Sequence, residues 1–275
     1  MNAGRRPGAP LLTAAVILVV GAVGLLAALQ AVFTRLPARP PRLIAFTERL
    51  RDPLATHGPR PALAAAPSTE GPRVAVPLSD TAPPRLPADG APRGWTLHEF
   101  TGRGVVELLR AEPGLAVRLR TDQGSFALVR EVVVDLAVTP VLSWQWKVTR
   151  APSAGDARSE ATDDQAVQVY VIFPRWPSPI TRSEVIGYVW DTQAPVGTVV
   201  TPARAPNVRL VVVQSGARNA GEWQRASRNV REDYQALFRR RPGQVGAVAL
   251  MSDANDTRSV SEGLVADLAF SRGPS

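Results

Sequence analysis

The chain has 275 residues, 45% of them hydrophobic, and a net charge of +8, enough for one domain of ordinary size with appendages. It contains no cysteine and two histidines, His57 and His98, which excludes disulfides, thiol nucleophiles and cysteine-ligated metal sites. The charge excess lies mainly before residue 93, and no basic stripe with interleaved aromatics follows it, so nucleic acid is not an expected partner.

The first element is the uncharged run "APLLTAAVILVVGAVGLLAALQAVF" from Ala9 to Phe33, preceded by Arg5 and Arg6. Roughly 20 apolar residues cross a bilayer as a helix. Residues 1–33 are therefore expected to be a retained N-terminal transmembrane helix contacting the lipid bilayer, with a cleaved signal segment as the alternative. Residues 34–92 follow as a Pro/Ala/Arg-rich tether, expected to be largely disordered: prolines recur from Pro37 to Pro92 without a sustained period of 2 or 3.6. Arginines on both sides of the apolar run leave its orientation open by charge alone.

From residue 93 to 275 the texture is that of a folded domain. "GLAVRLRTDQG" alternates Leu115, Val117 and Leu119 against polar or small residues and then turns at Asp122-Gln123-Gly124. "VLSWQWKV" places Leu142, Trp144, Trp146 and Val148 on one face, and Ser143, Gln145 and Lys147 on the other. "QAVQVYVIF" puts Val167, Val169, Val171 and Phe173 opposite Gln168, Tyr170 and Ile172. "EVIGYVWD", "VRLVVVQ", "QVGAVALM" and "GLVADLAF" add further strands. One segment, "NVREDYQALFRRRPG", reads as helix: Val230, Tyr234, Leu237 and Phe238 form a stripe, and Asn229 with Glu232 resembles a capping box. Many strands and one short helix predict an all-β, mostly antiparallel sandwich of jelly-roll-like kind.

The order "LSWQWKV", "DDQAVQVYVIF", "YVW", "SG", "EW", "RNVREDYQALF", "MSDANDT" and "ADLAF" resembles the bacterial family of domain of unknown function 3047 over roughly residues 94–271. The resemblance implies an exported or envelope-associated protein, and so an inner-membrane anchor with the domain in the periplasm. It brings no catalytic residue. The chain departs from the family in its last acidic loop, which there reads closer to Asp-x-Asp-Asn-Thr and here is Asp253-Ala254-Asn255-Asp256-Thr257.

No residue is assigned a catalytic role. Gly-x-Ser-x-Gly, dinucleotide and phosphate-loop motifs are all missing. Trp144 and Trp146 share a face with Leu142 and Val148 and are expected in the core. Trp190 and Trp223, at a run's end and in a loop, are candidate ligand platforms, with burial as the alternative. If their strands pair, Gln145, Lys147 and Tyr170 would form a shallow polar groove; the alternative is an ordinary solvated sheet face. Arg228 would either tie the helix to its neighbouring loop or clamp an anionic ligand. The leading expectation is a non-catalytic module for an envelope glycan or other polar ligand. The alternatives are a structural envelope protein, or a hydrolase of envelope carbohydrate drawing paired acids from Asp163, Asp164, Glu222 and Asp253. No cofactor is expected. A calcium ion held by Asp163, Asp164, Asp253, Asn255 and Asp256 is the alternative to a turn that these side chains stabilise by hydrogen bonds, toward the Arg228 region.

Overall fold

The computed structural model describes residues 72–175, 183–203 and 205–273. The expected membrane segment and most of the tether lie outside them. Among the described residues no helix is long and apolar enough to cross a membrane. In chain order the elements are β1 (Arg73–Ala75), β2 (Ala88–Asp89), β3 (Thr96–Thr101), β4 (Gly104–Ala111), β5 (Gly114–Asp122), β6 (Ser125–Val134) and β7 (Val141–Arg150). There follow β8 (Val167–Phe173), β9 (Glu184–Asp191), β10 (Val199–Val200), β11 (Val208–Ser215), β12 (Gln224–Asn229), α1 (Val230–Phe238), β13 (Val245–Asp253) and β14 (Val260–Ser271).

The strands form two seven-stranded sheets. Sheet one runs β12-β7-β14-β5-β4-β2, with β1 also paired to β14; sheet two runs β10-β11-β9-β8-β13-β6-β3. Every pairing is antiparallel except β9 with β11, whose connection must cross over to restart in the same direction. The result is a mostly antiparallel, jelly-roll-like sandwich with one helix.

The period-2 pattern decides where the core lies. On β7, Leu142, Trp144, Trp146 and Val148 point inward and are buried. Trp144 stacks on Tyr188 of β9 with centroids 5.4 Å apart, and Trp146 meets Trp190 at 5.8 Å, so the indoles of sheet one pack on the aromatics of sheet two. Strands β8 and β9 are buried on both faces. Their second face packs in a separate apolar cluster that includes Ala157, Ala194 and Ala205, from the loops crossing sheet two. Sheet one has no such cover over β7, where Gln145 and Lys147 stay partly exposed.

Helix α1 begins as expected. Asn229 accepts the Glu232 amide at 3.2 Å, and Arg239 ends the helix in the left-handed conformation at φ 57°. The expected tether, 34–92, overlaps the folded domain: β1 and β2 lie inside it, and Val76 and Leu78 are buried in the core. The proline-rich composition hid a segment held by Val76 and Leu78 in the core, by packing of Val74 and Leu86 against it, by two short pairings and by an ion pair of Asp80 with Arg130.

Candidate functional site

On the outer face of sheet one an open cleft of about 570 Å³ is lined by Glu112, Pro113, Gln145, Lys147, Gly221, Glu222 and Trp223. Its floor comes from β7. Alternation that buries Trp144 and Trp146 forces Gln145 and Lys147 outward. One wall is the hairpin between β4 and β5. The other is the loop leading into β12, fastened by the Gly221 amide donating to the Val148 carbonyl at 2.7 Å. Gly221 has φ 85°, a conformation that favours glycine, and the turn there brings Glu222 and the half-buried Trp223 over the β7 row. Gln145 is held by its amide nitrogen, which donates to Asp267 Oδ2 at 2.6 Å. Asp267 sits at φ 52° where the β14–β7 register shifts, so a bulge aims its carboxylate at the cleft floor.

Three of the expected ligand residues do not join this cleft. Tyr170 does not sit beside Gln145 and Lys147, because β7 pairs with β12 and β14 while β8 belongs to sheet two. Trp190 is only 2% exposed; its indole lies against Trp146 and its N–H donates to the Gly216 carbonyl at 3.0 Å. A ring so enclosed offers no face to a ligand. Arg228 is committed within the protein, its Nε and Nη2 donating to Asp233 at 2.9 and 2.5 Å, with its guanidinium over Tyr188. Tyr188 also donates to Asp233, at 2.8 Å, so Arg228 ties helix to core.

A second constellation lies on the other face of sheet two, in a narrow crevice lined by Asp163, Gln165, Gln168, Tyr170, Leu210, Met251 and Asp253. Gly187 opposite Tyr170 allows the phenol ring to lie flat across β9; a Cβ there would stand 2.5 Å from the ring. From the ring a buried chain of hydrogen bonds runs outward. Tyr170 donates to Gln168, Gln168 to Gln165 at 2.9 Å, and Gln165 to Asp163 Oδ1 at 3.0 Å. Burial pushes the Asp163 carboxyl up to about 7 against the bond from Gln165, with the carboxylates of Asp256, Asp164 and Asp191 adding to the rise. Asp253 is raised well above the ordinary range by burial first, then by Asp164, Asp163 and Asp256. The Ser125 hydroxyl, facing it in the β13–β6 register, acts against that rise.

The adjacent Asp164 turns to a different task. Oδ1 accepts the Asp256 amide at 3.1 Å, and Oδ2 accepts the amide and hydroxyl of Thr257 at 2.6 and 2.5 Å. The loop after β13 is thus pinned by hydrogen bonds, yet not toward Arg228: the gripping carboxylate is Asp164, and the loop supplies most of the donors. Asn255 donates to Asp256 at 2.8 Å. Of the five residues weighed as calcium ligands, Asp163 and Asp253 share the crevice while Asp164 is occupied. Among the described residues no group of three or more His, Cys, Asp or Glu is placed to hold a metal ion.

Residues 93–269 match the family described as protein of unknown function (DUF3047). The chain belongs to the DUF3047 family. No curated protein matches it. Among solved structures, this DUF3047 chain is similar to the family 11 carbohydrate-binding module of a cellulosomal cellulase of Clostridium thermocellum, at 7% identity and TM-score 0.39, over 73% of this chain and 94% of that one. It is similar also to endoglucanase 3 of Trichoderma harzianum, from family GH12, at 8% identity and TM-score 0.37, over 73% and 96%. The family 11 xylanase of Neocallimastix patriciarum gives 11% identity and TM-score 0.36, over 72% and 98%. Likenesses this slight carry nothing about a site, which stands on its own geometry.

Glu112, Pro113 and Asp267 contribute to the cleft without having been singled out in the DUF3047 sequence. Glu112 and Pro113 had a local signal, since Glu-Pro-Gly between "VVELLRA" and "LAVRLRT" marks a hairpin turn. Asp267 had none. Its role depends on a bulge that nothing in "VADLAF" announces.

Proposed function

We propose that this domain is a non-catalytic module binding a polar, carbohydrate-like ligand of the cell envelope, held to the inner membrane by residues 9–33 with the domain on the periplasmic side. The observation that carries the binding reading is the cleft at Trp223. A partly exposed indole stands beside one lysine, one amide fixed by Asp267, and two carboxylates, in a volume within the range of small-molecule sites. An aromatic face packs against the C–H side of a sugar ring while the polar groups take its hydroxyls. The support for location is the uncharged apolar run in the sequence and the resemblance drawn above.

Hydrolysis by paired acids has one observation behind it, the crevice shared by Asp163 and Asp253. That crevice is too narrow to take a sugar ring between the carboxyls, so the binding reading is favoured. The test is titration of the full chain, in detergent, with a panel of neutral and acidic oligosaccharides, followed by tryptophan fluorescence and calorimetry. Binding by the wild type and its loss in Trp223→Ala and Lys147→Ala are expected. Binding unchanged in both variants, or cleavage of any oligosaccharide that depends on Asp163, overturns the reading.

A further inference from the structure

The outer face of sheet one carries a second open cleft, of about 540 Å³, bounded by residues 83–87 on one side and by Glu107, Leu109, Arg110 and Arg118 on the other. Strand alternation places it. Val106, Leu108, Val117 and Leu119 are buried in the core, so Glu107 and Leu109 of β4 and Arg118 of β5 point outward. Leu86 packs against the core and Ala88 pairs with Leu108, which fastens the wall of residues 83–87 beside β4. Pro83, Pro84 and Pro87 fix their own φ, so little order is lost when a ligand settles against this wall. The cleft is basic. Arg85, Arg110 and Arg118 face a single carboxylate, Glu107, which pairs with Arg118 at 2.6 Å. Arg85 and Arg110 are exposed and form no ion pair with a described residue. Guanidinium groups hold carboxylate and phosphate oxygens by paired, charge-assisted hydrogen bonds.

The strand register sets this cleft beside the one at Trp223. Leu264 of β14 lies between Lys147 of β7 and Arg118 of β5. Lys147 lines the Trp223 cleft and Arg118 the basic one, so the two stand two strand spacings apart, about 10 Å, on one face. The β4–β5 hairpin borders both, with Arg110 in the basic cleft and Glu112 in the other. We propose that the two clefts are subsites of one elongated site, and that its ligand is an acidic oligosaccharide. One sugar ring lies at Trp223, and the carboxylate or phosphate of another unit lies between Arg85 and Arg110. The inference rests on reading the Trp223 cleft as a glycan site. A single sugar ring does not span the distance from Lys147 to Arg118, which makes the ligand an oligomer. Charge fixes its direction. Glu112 and Glu222 outnumber Lys147 at Trp223 and disfavour an anion there, whereas the basic cleft offers two uncommitted guanidinium groups. Leu109 and the prolines supply the apolar surface against which the rest of the charged unit packs.

The experiment is calorimetric titration of the full chain, in neutral detergent, with oligosaccharides of equal length. The probes are an oligogalacturonate, its neutral methyl ester, and a neutral oligosaccharide carrying one phosphate monoester. At least one charged probe is expected to bind about tenfold or more tightly than the methyl ester. In the double variant Arg85→Ala, Arg110→Ala that preference is expected to fall below about twofold. Both side chains are exposed, and a thermal melt checks that the double variant is folded; if it melts lower than wild type, Arg110→Ala alone is read in the same way. Trp223→Ala is expected to weaken every probe. Equal affinity of the wild type for charged and neutral probes overturns the proposal, as does a preference kept in the arginine variant. A charged probe that binds as tightly to Trp223→Ala as to wild type also overturns it, because the clefts would then act separately. Binding of anionic phospholipid vesicles that is lost in the arginine variant, with oligosaccharide affinities level, would assign the cleft to lipid headgroups and overturn it too. The ratio of charged to neutral affinity reads the basic subsite alone. An affinity for the neutral probe that Trp223→Ala leaves unchanged counts instead against the glycan reading of the Trp223 cleft, and no binding of any probe overturns both.

Discussion

Asp164 grips Thr257 twice: one carboxylate oxygen accepts both the amide of that residue, at 2.6 Å, and its hydroxyl, at 2.5 Å. The two residues are far apart in sequence, and the contact fastens the entrance of β8 to the exit of β13. With the Asp256 amide as a third donor, Asp164 is the keystone of the acidic loop rather than one of its charges.

Replacing Asp164 with Ala would leave these donors without their acceptor. A hydrogen bond to a charged group contributes about 1.5–3 kcal/mol, and stranded buried donors add their own cost. The expected loss is about 3 kcal/mol or more in chemical denaturation. A loss below about 1 kcal/mol would mean that water replaces the carboxylate and the loop is not held this way.

Much of the fold was legible. On β5, β7 and β8 the alternation named the inward residues, because a buried face imposes period 2 whatever the strand pairs with. Partner choice is another matter. Ser143, Gln145 and Lys147 could be placed on one outer face, but the sequence holds no local trace of β7 pairing with β12 and β14 instead of β8. That is why Tyr170 was grouped with Lys147. Trp190 misled for a related reason: a tryptophan at the end of a strand reads as exposed until the opposing sheet is known. Trp223 was distinguishable only as a loop aromatic, and its cleft depends on where the β4–β5 hairpin closes.

Trp144 and Trp146 bring sheet one into contact with sheet two, at Tyr188 and Trp190. Truncating either to Ala removes a large buried ring and leaves a cavity between rigid sheets, at a cost of about 3–5 kcal/mol. Thermal melts of both variants check this, and an unchanged midpoint in either would contradict the packing described.

Asp191 tests the linkage of charge to stability away from the crevice. Its carboxyl accepts the amides of Gln193 and Ala194 at 2.7 and 2.6 Å and that of Ala157 at 2.9 Å, yet burial outweighs these bonds and raises its pKa above the ordinary value of 3.8. The folded state therefore holds this proton more tightly than the unfolded chain. Its contribution is fully present below 3.8 and is lost as pH rises from there through the folded value. Asp191→Asn has no such proton, so the difference in stability between wild type and variant should narrow as pH rises across that window. A difference independent of pH would show that the carboxyl titrates alike in both states.

The location has its own test. A reporter active only in the periplasm, fused after Ser275, is expected to be active, and the chain is expected in the membrane fraction. Activity of a cytoplasmic reporter alone would reverse the orientation, and recovery of the chain as soluble protein would argue for cleavage within or after residues 9–33.

The last prediction concerns Gly187. It lies directly across from Tyr170 in the β8–β9 register, and a Cβ at this position would stand 2.5 Å from the phenol ring and 2.8 Å from Leu210 Cδ2. No atom approaches a real Cβ so closely, so Gly187→Ala must push the ring out of its place on the sheet. Overpacking of this kind costs about 1–3 kcal/mol. Because Tyr170 begins the hydrogen-bond chain that ends on Asp163, the displaced ring should also loosen that carboxylate. Removing the ring with Tyr170→Val in the Gly187→Ala background should recover part of the lost stability, giving a coupling energy of the order of 1 kcal/mol in a double-mutant cycle. Additive losses in the two variants would mean that the ring does not rest against the glycine, and the positioning of Asp163 would need another cause.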